Sequence, residues 1–428
     1  MTDRRRFVAT ALGLPVAWRT RPAFAQPVED STPRLQRAID LAQRGDGIVA
    51  IPAGASRVSH LRITGDVRLV GAGRSNRLVA IGAGPILAID RAVSVAIENV
   101  AFDGAGLAPG GEAGLIEARD VADLNLVDCS IERAAGHGLK AERCGGRITR
   151  SSFRALAQSA IHSLDATGLS IIDNRIEDCG VNGLQVFRSA IGYDGTILRD
   201  NRLTRIRADP GRDGPYGNAI AIFRAGGVSC IGNVIRQAAF SAIRFNSGAD
   251  ALISGNSCAD SGETAIYVEF AFQGAVVSSN VVDGASTGIS VTNIDQGGRL
   301  AAVAGNVLRN CVRQQPQGGE NFGVGIHVEA DTTASGNVID NARFAGIEAG
   351  YGNGLRNVVV SDNVVNDSGF GIAVSVAPGA GGATIRDNRL RARDGAIVGM
   401  AWEKVVSADL VKDAAKYPQL AISGNEPG

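Results

Sequence analysis

Residues 253–268 read ISGNSCADSGETAIYV, and residues 277–291 read VSSNVVDGASTGISV. The two stretches align with a single one-residue gap between the asparagine and the alternating segment. Each has an apolar residue three before an asparagine, another two after it, and then a small residue opening an alternation of apolar and variable positions. In the first copy these are Ile253, Asn256, Cys258 and Ala265-Ile266-Tyr267-Val268; in the second they are Val277, Asn280, Val282 and Gly288-Ile289-Ser290-Val291. An alternation of period two is the pattern of a half-buried strand. Each copy therefore predicts short strands that turn one or two side chains inward.

Outward from these copies the same anchor recurs at Asn174, Asn201, Asn233, Asn306, Asn337, Asn363 and Asn388, at spacings of 23 to 32 residues, and Ser130 and Ser152 extend the series backward at intervals of 22. A period of this size marks a solenoid. Parallel strands stacked ~4.8 Å apart put like on like, so the aliphatic columns make one continuous core of about ten coils. The asparagines are expected at a turn, in left-handed backbone, bonding their own backbone and passing amide hydrogen bonds from coil to coil. A leucine-rich repeat is the alternative for this period, but its leucine pattern is missing and Ile and Val dominate. No segment between residues 120 and 400 sustains a glycine-free helical period, which excludes a helical repeat.

The ends fit a stack. Thr32-Pro33 places a capping hydroxyl before a first-turn proline, Leu35, Ala38, Ile39, Leu41 and Ala42 form an apolar stripe, and Gly45 stops the helix. Such a helix hides the open edges of the first coil. Residues 402–417, with Trp402, Val405, Val406, Leu410 and Val411 ahead of Tyr417-Pro418, are expected to close the far end as a helix or turn. With this asparagine series and the stretch GDGIVAIPAG at residues 45–54, the chain resembles the pectin-lyase-like superfamily over roughly residues 33–400. That resemblance implies an all-β, right-handed parallel β-helix of roughly 22–32-residue coils with an Asn ladder and a short N-terminal capping helix.

The first residues read as targeting. Arg4-Arg5-Arg6-Phe7-Val8 resembles the twin-arginine export motif, with Asp3 where Ser or Thr is usual. An apolar run to Trp18 and Ala23-Phe24-Ala25 before Gln26 complete a signal. Together with the repeats it resembles a family of twin-arginine-translocated repeat proteins, which implies the export machinery as a partner and a periplasmic or secreted product. The alternative is a basic N-terminus on a cytoplasmic protein. The expected division is 1–25 signal, 26–50 capping helix and first strand, 51–400 β-helix, and 401–428 C-terminal cap and tail. No later apolar run approaches the ~20 residues needed to span a bilayer. Removing residues 1–25 takes five arginines and one aspartate from 43 basic and 43 acidic residues, leaving 38 against 42. A mildly acidic surface does not fit nucleic acid. The six cysteines show no CxxC unit, and Cys230 and Cys258 stand where the repeat has aliphatics, so they are read as small buried hydrophobes.

The variable column of the alternating strand is expected to point outward: Lys140, His162, Gln185, Ala221, Arg244, Tyr267, Ser290, His327, Glu348 and Ala373. Two residues on, the same face carries Phe187, Phe223, Asn246, Glu269, Thr292 and Glu329. Aromatic, amide and charged groups in one groove suit sugars, which offer both apolar ring faces and hydroxyls. Two long coils lead into this face, Ala208–Asn218 with Asp209, Arg212, Asp213 and Tyr216, and Arg313–Val324 with Glu320, Asn321 and Phe322. Long loops on a regular scaffold tend to carry function.

The catalytic candidates are therefore His327, Glu329, Glu348, Arg244, Tyr267 and Glu269. Glu269 and Glu329 lie two coils apart, about 10 Å, just past the ~6.5–9.5 Å of inverting glycosidases, so a hydrolase pair requires them to lean together. For a lyase or epimerase, Arg244, His327 and Tyr267 supply the base and the cation that the chemistry needs. The aspartate pairs typical of galacturonan hydrolases, and the calcium-binding aspartate cluster of pectate lyases, are missing from this face. No motif brings two of the four histidines together, and no glycine-rich stretch has the strand–loop–helix context of a phosphate loop, so neither metal nor cofactor is expected. The readings are a polysaccharide-handling lyase, epimerase or hydrolase; a non-catalytic glycan-binding or structural scaffold of the cell envelope; or assembly through stacked ends or exposed faces. The expected partner is a polysaccharide or oligosaccharide, and the chain is expected to be a monomer. A bound oligosaccharide is expected along the column from Arg244 to Glu348.

Overall fold

The structure, a computed structural model, describes residues 29–428 apart from 46, 74, 108–112, 210–213 and 315–321. The expected signal at 1–25 lies outside the described residues, as do Arg212, Asp213, Glu320 and Asn321. The described chain is an all-β solenoid of more than a dozen turns, taller than the ten coils expected because the irregular sequence before residue 120 also stacks. Pairing between coils is parallel throughout. The apolar column ahead of the asparagine runs from Val49 through Leu69, Ile97, Leu126 and Ile148 into Ile171, and onward from Val360 to Ile385 and Ile422. Nearly all of these side chains are fully buried, and each contributes about 1.5–3 kcal/mol by leaving water. All six cysteines are free and buried, as small hydrophobes at core positions.

The asparagines form one buried ladder. From Asn174 to Asn388, each Nδ2 donates to Oδ1 of the next asparagine at 2.8–3.0 Å. Its other hydrogen goes to the carbonyl of the apolar column residue one coil back, as in Asn280 Nδ2 to Ile253 O at 3.0 Å. Its Oδ1 also accepts a backbone N–H, as Asn280 does from Asn256 at 2.9 Å. The amide thus uses both hydrogens and accepts two, which is what a buried polar group needs.

Three expectations change here. The left-handed residue is the one before each asparagine, as at Asp173, Asp200, Gly232, Ser279 and Asp387, because the asparagine has to aim its amide inward. Ser152 pairs with Arg175, so the ladder position falls on Ser151, whose N–H bonds Asn174 Oδ1 at 3.0 Å, and on Cys129. The ladder also runs one coil further, to Asn425.

A helix, Thr32–Ala42, covers the first coil with Leu35, Ile39 and Ala42, while Leu41 of the expected stripe is 69% exposed. Thr32 does not cap it: Thr32 Oγ1 accepts from Ser59 N–H at 2.9 Å, and Asp30 Oδ1 accepts from Thr32 N–H at 2.9 Å. Gln36 joins helix to coil by bonding both the N–H and the carbonyl of Arg62, at 2.8 and 2.9 Å. At the far end residues 402–417 hold no α-helix. Lys404–Ser407 turns back antiparallel on Gly399–Ala401, and turns follow around buried Leu410. The stack then resumes with Leu420–Ser423 against Ala383–Arg386. No helix among the described residues is long and apolar enough to cross a membrane.

Candidate functional site

The alternating strands stack in the expected register. Arg244 pairs with Tyr267, Tyr267 with Ser290, Ser290 with His327, His327 with Glu348 and Glu348 with Ala373. Because each strand turns every second side chain away from the core, these six share one face. The face is not plain solvent. Ser290 and Ala373 are buried, and Ala373 packs with Ala345, Val398 and Met400 into a second small core flanked by Phe344 and Phe370.

Between this second core and the strands lies a cavity of about 240 Å³. Tyr267, Ser290, Thr292, His327 and Glu348 line it from successive coils, with Thr264, Thr287 and Tyr351 beside them. Met400, Trp402 and Glu403 close it from the C-terminal hairpin. Trp402 sits at the hairpin turn with φ of 52°. A bulky residue with positive φ is an outlier held by its surroundings. Gly352 makes room for it, since a Cβ there would come within 2.8 Å of the indole Nε1. The ring nevertheless stays 51% exposed, an apolar plate at the rim. Tyr351 donates its hydroxyl to Glu403 Oε1 at 3.2 Å.

The six sequence candidates divide. Tyr267, His327 and Glu348 line the cavity together. Burial raises the Glu348 carboxyl above its ordinary range; nearby His327 opposes this and Glu329 adds to it. Among the described residues none hydrogen-bonds that carboxyl, which lines the cavity. His327 Nε2 is buried with no hydrogen-bond partner among the described residues and lies 3.7 Å from Glu329 Oε1. Burial, then the carboxylates Glu269 and Glu263, hold the Tyr267 hydroxyl in its protonated form.

The other three are engaged elsewhere. Arg244, its side chain only 15% exposed, grips Glu269 with two bonds at 2.7 and 3.0 Å, approaches Glu263 at 3.5 Å, and donates to the carbonyl of Gly214. It also lies over the Tyr267 ring at 5.1 Å. Glu269 takes a further bond from Asn246 at 2.9 Å. Glu329 accepts from Thr292 Oγ1 at 2.6 Å and from Ile294 N–H at 2.8 Å. Arg244 therefore braces the long coil at Gly214, and Glu269 and Glu329 are each bound to internal partners instead of leaning together. From the second long coil, Phe322 is buried under the Arg343 guanidinium at 4.1 Å.

Two histidines do meet, against expectation: the rings of His137 and His162 lie 5.0 Å apart, and Phe187 and Phe223 continue the stack. His162 Nδ1 is 2.7 Å from Gln185 Oε1 and His137 Nδ1 accepts from Ser159 N–H at 3.2 Å, so the pair is bound into the fold. No group of three or more metal-ligating side chains occurs among the described residues. Sequence reasoning missed Tyr351, Met400, Trp402 and Glu403. The available signal was Trp402, one of only two tryptophans in the chain.

Fold and cavity define a right-handed parallel β-helix with a lateral pocket. Residues 192–390 match the family model described as the right handed beta helix region. Among solved structures the chain is similar to the DFA-IIIase of Arthrobacter chlorophenolicus A6 without its lid (14% identity, 95% of this chain and 97% of that one, TM-score 0.49). It is also similar to the catalytic unit of the thermostable GH87 alpha-1,3-glucanase of Streptomyces thermodiastaticus strain HF3-3 (16% identity, 94% and 66%, TM-score 0.45). A third similarity is to ORF18 of Geobacillus virus E2 (15% identity, 71% and 56%, TM-score 0.44), of which this chain spans just over half the length. No curated protein matches the sequence.

Proposed function

We propose that this chain handles a polysaccharide at the cavity between Tyr267 and Trp402, with Glu348 as the proton-transfer group and His327 beside it. The observation that carries the reading is the company Glu348 keeps. A carboxyl whose pKa is raised by burial stands beside an exposed indole, the Tyr267 ring, and the hydroxyls of Ser290, Thr292, Thr264 and Thr287. Rings take the C–H faces of a sugar and hydroxyls its oxygens, while a carboxyl tuned upward suits general acid work. The test is a screen of polysaccharides followed by calorimetry for binding and by assays for new reducing or unsaturated ends. Trp402→Ala is expected to weaken binding tenfold or more. Glu348→Gln is expected to bind within threefold of the parent and form product at least a hundredfold more slowly. Failure of every glycan to bind overturns the proposal.

A second reading is a non-catalytic glycan-binding module. What favours it is that Arg244, Glu269 and Glu329 are all occupied by internal partners. Binding with no product from any glycan selects it.

We also propose export by the twin-arginine route, on the sequence of residues 4–25. Changing Arg4 and Arg5 to Lys should leave the protein in the cytoplasm on cell fractionation, and undiminished export would remove the proposal.

A further inference from the structure

The cavity is short because the face that carries it is covered at both ends. Along the outward column, Gln185 and Ala221 stand ahead of Arg244, and both are buried. Arg244 itself lies over the Tyr267 ring at 5.1 Å and is tied to the Gly214 carbonyl of the long coil. At the other end Ala373 and Val398 continue the column beyond Glu348, and both are buried in the small second core. The part of the column that lines the cavity is therefore Tyr267, Ser290, His327 and Glu348. Three steps of ~4.8 Å make it about 14 Å long, room for about three sugar units of ~5 Å each.

The flanks are walled as well. Phe344 and Tyr351 stand before and after the strand Ala345–Ala349 that carries Glu348, and both line the cavity. The turn begun by Tyr351 closes on Gly354, where a Cβ would come 3.2 Å from Ile294 Cγ2. A ligand reaches the floor from the outward side, past the half-exposed Trp402 indole.

Resting on the glycan reading above, we infer that the cavity receives the end of a sugar chain and not its middle. A chain threaded along the column would have to continue through Ala373 and Val398 on one side and the Arg244–Gly214 bridge on the other. Close-packed side chains leave no passage there. A terminal segment of one to three units stops at the wall it meets, with the Tyr267 and Trp402 rings to take its apolar faces. The volume of about 240 Å³ agrees, since it falls below the ~300–1,000 Å³ of pockets that bury a drug-sized molecule.

The experiment titrates the full chain by calorimetry with linear hexasaccharides of glucose, xylose, mannose and galacturonate. The best binder is then compared with three derivatives that carry a bulky dendritic polyol at the reducing end, at the non-reducing end, or at both. The doubly blocked hexamer is expected to bind at least tenfold more weakly than the free one, and the two singly blocked hexamers show which end enters. In a length series from two to six units, affinity should rise to about three units and change less than twofold beyond. A doubly blocked hexamer that binds within threefold of the free one, or an affinity that climbs steadily through six units, overturns the inference and leaves the glycan reading standing. Failure of every free hexamer to bind overturns both.

Discussion

His137 shows what this fold demands of a single side chain. It is buried beside His162, and its Nδ1 is committed to accepting the Ser159 N–H. Burial, then the positive charges that His162 and Lys140 carry when protonated, bring its pKa down from 6.5 to about 3. The folded chain thus refuses a proton that the unfolded chain accepts. The stability this involves is complete above pH 6.5 and is lost as pH falls from 6.5 toward 3, at about 1.4 kcal/mol per pH unit. Urea unfolding at pH 7, 5.5 and 4.5 should show the parent losing stability faster than His137→Gln, which keeps an acceptor for Ser159 and cannot be protonated. Parallel losses in the two proteins would show that His137 takes up its proton in the folded state. None of this was legible beforehand. The outward column begins at Lys140, and nothing in the spacing of His137 and His162 says that the two rings meet.

At the scale of the element, the asparagine ladder was legible and its finer register was not. The repeat identifies the asparagines because each sits between two apolar columns of fixed offset. It does not tell which neighbour takes the left-handed turn, since Asp, Ser and Gly before the asparagine all tolerate it. Nor does it separate Ser151 from Ser152, because both are small and polar. The ladder makes a graded prediction. Asn280→Ala leaves the Asn256 N–H and amide, the Asn306 Oδ1 and the Ile253 carbonyl short of partners in a dry interior, and should cost about 3 kcal/mol or more. Asn425→Ala, at the half-exposed end of the same ladder, should cost under about 1 kcal/mol because water replaces the lost bonds. Denaturant midpoints that fall equally in the two variants would show that burial does not set the strength of the ladder.

Across the whole molecule, the face that bears the cavity followed from a period of two, which is why Tyr267, His327 and Glu348 were found together. The rim at Trp402 and Glu403 was hidden because it lies on a hairpin outside the repeat. Met400 arrives on a strand stacked in register on Val364–Ser375, but Trp402 and Glu403 lie beyond that strand and return to the pocket only through the hairpin at Gly399–Ser407. The internal engagement of Arg244 was not legible for a related reason: its partners Glu269 and Gly214 come from two other coils, and pairing across coils leaves no mark on local composition. The position of that rim has a thermodynamic consequence. In a solenoid each coil touches only its neighbours, so order can be lost stepwise from an end, like a zipper. The N-terminal coil is covered by the helix Thr32–Ala42, whereas the coils after Gly399 are built from the hairpin strand Lys404–Ser407, turns around Leu410 and the short strands Leu420–Ser423 and Glu426–Pro427. Loss of order after Gly399 would take away the Trp402 indole and Glu403 while leaving Tyr267, Ser290 and His327 paired with their neighbouring coils. On warming, Trp402 fluorescence is expected to change before far-UV circular dichroism, so that recognition is lost at a lower temperature than architecture; coincident transitions would show that the hairpin melts with the coils it covers.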